Sequence, residues 1–193
     1  MTASFFVCYR VLGANRYRSY MLKGKKVVLR AIESDDYKRL WEFANDFEVE
    51  LLSGGDPPRP KSMTEVASFF ERLSDDRSTY NFAIARIDAI DTIIGFCGLF
   101  NVAHSSRTCE LGITIGSREN WNHHFGREAV GTLCDYGFRA LNLRKISLSV
   151  SANNERAIRS YEAANFIEEA RLRQHIWENG TYVDLVMMSR FGS

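Results

Sequence analysis

The order of apolar patterns along the chain predicts an α/β (α+β) fold in a single domain, with a mixed central sheet of about seven strands flanked by about four helices. Three observations carry this expectation. Segments of strand and helix period follow one another as β-α-α-β-β-β-α-β-α-β-β, no segment repeats, and no linker divides the chain. With 193 residues, 45% hydrophobic and 25% charged, the chain can bury one sizeable core and is unlike a disordered one.

Val27 to Ile32 predicts the first strand. Ser34 is placed to cap a helix through Tyr37, Leu40, Trp41, Phe43 and Ala44, with Asp35 and Asp36 in its first turn to complement the dipole. Phe47 to Lys61 holds all three prolines and a Gly-Gly pair, and predicts a loop. From Thr64 to Leu73 the spacing of Val66, Phe69, Phe70 and Leu73 predicts a second helix. Asn81–Arg86 and Thr92–Phe100 form a hairpin pattern around Asp88 and Asp91. Cys109, Leu111, Ile113 and Ile115 then alternate with Glu110, Gly112 and Thr114, as in a half-buried strand. Gly126 to Leu141 carries Val130, Leu133, Cys134, Gly137, Phe138 and Leu141 at helical spacing. Ile146, Leu148 and Val150 alternate with three serines in a further strand, and Ala157, Ile158, Tyr161 and Ala164 give the last helix its apolar face. Phe166–Trp177 and Thr181–Met188 flank Glu178-Asn179-Gly180, a strong hairpin signal.

A formal charge of +1 argues against a nucleic-acid partner, and no apolar run approaches the roughly 20 residues of a membrane span. Cys8, Cys97, Cys109 and Cys134 form no close pair, which suits a reducing cytoplasm and indicates neither a zinc knuckle nor a redox dithiol. His123-His124 lacks a third ligand at sensible spacing, so no metal is expected, and no G-x-x-x-x-G-K-[ST] is present. Residues 1–20 are expected to be a loosely ordered extension, or the product of an upstream start before Met21, with the domain proper over 21–193.

Two segments carry chemistry. Trp121-Asn122-His123-His124-Phe125-Gly126 leads from a strand into a helix, whose first N–H groups and dipole favour an anion; Arg127 adds a cation. Downstream, Val150-Ser-Ala-Asn-Asn154-Glu-Arg-Ala-Ile-Arg-Ser-Tyr161-Glu-Ala-Ala-Asn-Phe166 places Asn154 as a helix cap and Tyr161 two turns later. By itself Tyr161 reads first as a core tyrosine on the apolar face of its helix; the other reading is a proton donor, since a phenol near about 10 can protonate a thiolate of roughly 8.5 with local help. Glu110, facing opposite to Cys109 and Leu111, is a candidate base or a solvated strand residue.

Together these segments resemble the acyl-coenzyme A site of the GNAT superfamily of N-acetyltransferases. The first resembles that family's phosphate loop Q/R-x-x-G-x-G/A, and the second its V-x-x-x-N-x-x-A-I-x-x-Y-E-x-x-G-F. The element order from Val27 onward matches too, and the string is most similar to the branch of ribosomal-protein N-terminal and spermidine acetyltransferases. The resemblance implies acetyl-coenzyme A as co-substrate and a primary amine as acceptor: a protein N-terminus, a polyamine or a drug-like amine. Transfer would be by direct attack in a ternary complex, with Tyr161 as acid and Glu110 as base. Ile113, Thr114, Ile115, Trp121, His124, Phe125, Gly126, Arg127 and Asn154 would hold the coenzyme, the main chain of 113–115 supplying an oxyanion contact. Trp41, Glu48 and Glu50, beside Asp46, Phe47 and Asp56, would lie over the acceptor cleft. A homodimer is compatible with this picture, and a coenzyme-binding protein with weak or no turnover is the alternative.

Two departures from the family pattern stand out. His124 occupies the first motif glycine, where a side chain obstructs the pyrophosphate or an imidazolium contacts it. Asn165 replaces the glycine that ends the last helix, a mild change because asparagine tolerates the left-handed conformation of such a cap.

Overall fold

The computed structural model describes residues 21–54 and 57–192; the expected extension over 1–20, and Asp56, lie outside the described residues. The strands are β1 (Leu22–Lys23), β2 (Val27–Arg30), β3 (Tyr80–Arg86), β4 (Ala89–Ala103), β5 (Thr108–Ile115), β6 (Lys145–Ser151), β7 (Ile167–Glu178) and β8 (Thr181–Phe191). The helices are α1 (Tyr37–Ala44), α2 (Phe47–Ser53), α3 (Met63–Asp75), α4 (Phe125–Arg139) and α5 (Glu155–Glu162). One sheet runs β1-β2-β3-β4-β5-β6-β8-β7, antiparallel except between β5 and β6.

The α/β class holds, and the described residues form eight strands and five α-helices where seven and four are expected. The extra strand is the two-residue β1, too short to leave a periodic pattern. The extra helix is α2, inside the expected loop. Asp46 caps it by accepting from the amides of Glu48 and Val49, and Glu48 and Glu50 complement its N-terminus. The prolines begin only after it ends.

The sheet separates two cores. On one face α4 lays Ala129, Val130, Leu133 and Cys134 against Val27, Leu29, Leu99, Leu111, Ile146 and Val186. On the other, Leu40 and Phe43 of α1 meet Val66 and Phe70 of α3 over Ala83 and Ile93. All four residues of β2 are buried, including Arg30. Its guanidinium pairs with Asp36 at 2.7 and 2.9 Å, and both side chains are no more than 3% exposed. Asp36 also accepts from the Glu33 amide at 2.9 Å. It therefore serves the buried pair rather than the helix dipole, and Ser34 starts a short 3-10 turn without capping α1.

Asn165 adopts φ 65°, the left-handed cap conformation expected of it. Buried in the core, Cys97, Cys109 and Cys134 are free thiols whose pKa values are pushed upward by desolvation, Cys109 and Cys134 to about 12.

Candidate active site

β5 and β6 pair as parallel neighbours only from Thr108 to Glu110, against Lys145 to Ser147. Beyond that point they diverge, and the opening between them leads into a cavity of about 440 Å³. Glu110 is thus the last paired residue and stands at the vertex of a V; Ile115 stands at its mouth. Parallel strands rarely leave an interior edge unpaired, because free N–H and C=O groups are costly away from water.

The backbone shows which groups face the gap. The Ile115 carbonyl accepts the Trp121 indole N–H at 2.6 Å. The Thr114 carbonyl turns back toward β4, where a Cβ on Gly95 would come within 2.1 Å of its oxygen. Alternation then directs the Ile113 main-chain groups into the opening and those of Thr114 to β4. Gly95 is glycine because of this close approach. Gly112 is glycine for a different reason: the Phe100 ring would lie 2.9 Å from a Cβ there.

α4 closes one side of the cavity. Its first turn presents Phe125, Gly126 and Arg127 to it, and its core face holds the helix rigidly on the sheet. Glu128 adds a clamp, accepting from the amides of Lys26 and Val27 at 2.5 and 3.2 Å. A Cβ on Gly126 would make only ordinary contact with Ile115, 3.4 Å away, so the protein's own packing does not demand glycine there. What glycine leaves is room for a ligand to approach the backbone. His124 precedes this turn with φ 67° and ψ 10°, in the left-handed region that the family's glycine occupies freely. Relieving it in His124→Gly is expected to raise stability by roughly 0.5–1 kcal/mol, read from denaturant midpoints. A loss of stability would mean that the exposed imidazole holds the turn together.

α5 forms the opposite wall. Asn154 caps it by accepting from the Ala157 amide at 3.1 Å, while its Nδ2 donates to the Leu52 carbonyl at 3.4 Å, tying α5 to the end of α2. Arg156, Arg159, Ser160 and Tyr161 follow along the cavity. Tyr161 is half-buried beside Phe166, and desolvation pushes its phenol up to about 12. From the other sheet face α2 contributes Val49, Leu52 and Ser53, with the Ser53 and Thr114 hydroxyls 3.2 Å apart.

The cavity therefore gathers every expected coenzyme residue: Ile113, Thr114, Ile115, Trp121, His124, Phe125, Gly126, Arg127, Asn154 and also Tyr161. Glu110 is not on its wall but exposed on the opposite strand face. Trp41, Glu48 and Glu50, expected over the acceptor cleft, do not line this cavity. Trp41 packs against the α1–α3 core and donates to the Lys61 carbonyl at 2.8 Å. Glu48 pairs with Arg118 at 2.6 Å and Glu50 with Lys61, so these carboxylates are engaged within the protein. Sequence reasoning missed Arg156 and Arg159, which the amphipathic pattern of α5 marks only as polar. The charges lining the cavity come from Arg127, Arg156 and Arg159, with His124 beside them; among the described residues no carboxylate lines it.

An α/β domain with a splayed parallel pair, a helix N-terminus at the opening and an arginine-lined cavity forms a site suited to an extended anionic ligand. Residues 26–167 match the acetyltransferase (GNAT) domain, and the chain belongs to that family. It is 29% identical to the uncharacterized N-acetyltransferase p20 of Bacillus licheniformis, over 86% of this chain and 92% of that one. It is 28% identical to the spermidine N(1)-acetyltransferase of Vibrio cholerae, over 84% and 91%. A crystal structure of spermidine N-acetyltransferase from Vibrio cholerae in complex with CoA and spermine superposes with a TM-score of 0.78 at 27% identity, covering 86% of this chain and 95% of that one. The protein is an N-acetyltransferase.

Proposed function

We propose that this enzyme moves an acetyl group from acetyl-coenzyme A to a primary amine of a polyamine, by direct attack in a ternary complex. The observation that carries the coenzyme assignment is the cavity in the β5–β6 opening, cationic among its described residues and bounded by the α4 N-terminus. A polyphosphate suits such walls, and a polycation does not. The polyamine assignment rests on similarity to relatives named as spermidine acetyltransferases, one of them solved with CoA and spermine.

Acetyl-coenzyme A supplies an acetyl thioester. The amides of the first turn of α4, with Arg127, hold its pyrophosphate, and the Ile113 main chain pairs with the arm and donates toward the acyl oxygen. Tyr161, kept in its donor form by burial, gives a proton to the departing sulfur. A phenol raised to about 12 lies above a free thiol of roughly 8.5, so the transfer is uphill and draws on the collapse of the tetrahedral intermediate. The amine approaches from the other sheet face, where Glu110 stands at the vertex and takes its proton directly or through water. None of Cys97, Cys109 and Cys134 lines the cavity, which favours direct attack over an acyl-cysteine intermediate.

A panel of spermidine, spermine, aminoglycosides and peptide N-termini, assayed for acetyl-coenzyme A-dependent thiol release, tests this. Spermidine or spermine should head the panel by kcat/KM. Preference for another amine overturns the acceptor class. A melting shift with acetyl-coenzyme A but no thiol release from any amine favours the binding-protein reading, which the left-handed His124 motivates. Absence of any shift overturns the coenzyme assignment.

A further inference from the structure

Trp121 and Arg156 pair with each other on the cavity wall, apart from the first turn of α4. The Arg156 guanidinium carbon lies over the Trp121 ring, 4.1 Å from its centre, and the indole is itself anchored on the Ile115 carbonyl at 2.6 Å. Stacking engages the flat face of a guanidinium and leaves its N–H edge free, and that edge matches a phosphate bidentately. Its neighbour Arg159 is bound to Glu155 at 2.9 Å, whereas Arg156 has no carboxylate partner among the described residues. A half-buried cation is thus held at the cavity wall with no hydrogen-bond acceptor among the described residues.

Its position along the V identifies which phosphate it meets. Chemistry belongs at the vertex, near Glu110, because there the two sheet faces communicate. Ile115 and Trp121 mark the mouth, five residues further along β5. A coenzyme A with its thioester toward the vertex and its pyrophosphate on the first turn of α4 brings its nucleotide to the mouth. We infer that Arg156, braced by Trp121, binds the ribose 3′-phosphate and makes this enzyme selective for coenzyme A over its 3′-dephospho form. This rests on the coenzyme assignment above.

Calorimetry with coenzyme A, 3′-dephospho-coenzyme A, adenosine 3′,5′-bisphosphate and AMP tests it. The wild type should prefer each 3′-phosphorylated ligand over its partner by about tenfold to a hundredfold, the worth of a charge-assisted contact. Arg156→Met should erase that preference and leave 3′-dephospho-coenzyme A affinity unchanged. Arg156→Lys, which keeps the charge but loses the planar fork, should retain only part of it. Equal weakening of both coenzyme forms by Arg156→Met, or a wild type without preference, overturns the inference while leaving the coenzyme assignment standing. If neither form binds the folded wild type, that assignment fails and takes the inference with it, a distinguishable result.

Discussion

Tyr161→Phe is expected to lower kcat by roughly 10²–10⁴, the usual worth of a positioned acid, with acetyl-coenzyme A affinity nearly unchanged. The motivation is the placement of the phenol. It lines the cavity from α5, its hydroxyl makes no hydrogen bond among the described residues, and desolvation raises its pKa to about 12. A hydroxyl with no structural partner can be removed at little cost to stability, since the ring and its contact with Phe166 remain. The raised pKa also fixes the pH behaviour. The phenol is protonated across neutral pH, so activity should show no alkaline fall from this group until pH approaches its raised value. Stopped-flow thiol release at saturating substrates, alongside calorimetric binding, checks both parts. A mutant that turns over nearly normally but is destabilised by more than about 1 kcal/mol would make Tyr161 a packing residue.

Asp36→Ala should be the most destabilising change outside the hydrophobic core. Arg30 is 1% exposed; it spends Nε on the Ile90 carbonyl and Nη1 partly on that of Ala31, and its remaining charge is met by the Asp36 carboxylate. Removing that carboxylate strands a buried guanidinium, which typically costs about 3–5 kcal/mol. For a chain of this length that corresponds to a fall in Tm of roughly 10 °C. The Arg30→Met, Asp36→Leu double variant should recover much of the loss, because apolar replacements leave no buried charge behind. A loss under about 1 kcal/mol for Asp36→Ala would show that water reaches the pair.

Much of this was legible in the chain. The apolar face of α4 follows from the spacing of Val130, Leu133, Cys134 and Gly137, and all four are buried. The Asn-Gly turn between β7 and β8 and the Asn154 cap also form as the residues dictate. Local signals of this kind survive because they arise between residues a few positions apart, whatever the rest of the chain does. The helix over Phe47–Ser53 is obscured in the sequence by the prolines behind it, though its Asp46 cap is a local signal.

Partnerships were less legible. Glu48 and Glu50 read as free acids near a cleft, yet Arg118 and Lys61 reach them from 70 and 11 residues away. Asp36 reads as a helix-start acid and turns instead into the core to meet Arg30. Charge patterning specifies that such groups are polar, and only packing decides whether a partner or water meets them.

By itself the sequence determined the α/β class, the order of its elements, and the two segments that border the cavity, since periodicity, caps and turns act over a handful of residues. Tertiary structure alone decided where β5 leaves β6, because splaying depends on Thr108, Cys109 and Glu110 pairing with the distant Lys145, Ile146 and Ser147 and the strands then parting. It also decided that Glu110 stands at the vertex outside the cavity, and that Arg156 lies on Trp121 across the mouth. These are juxtapositions of distant residues, and no local preference encodes them.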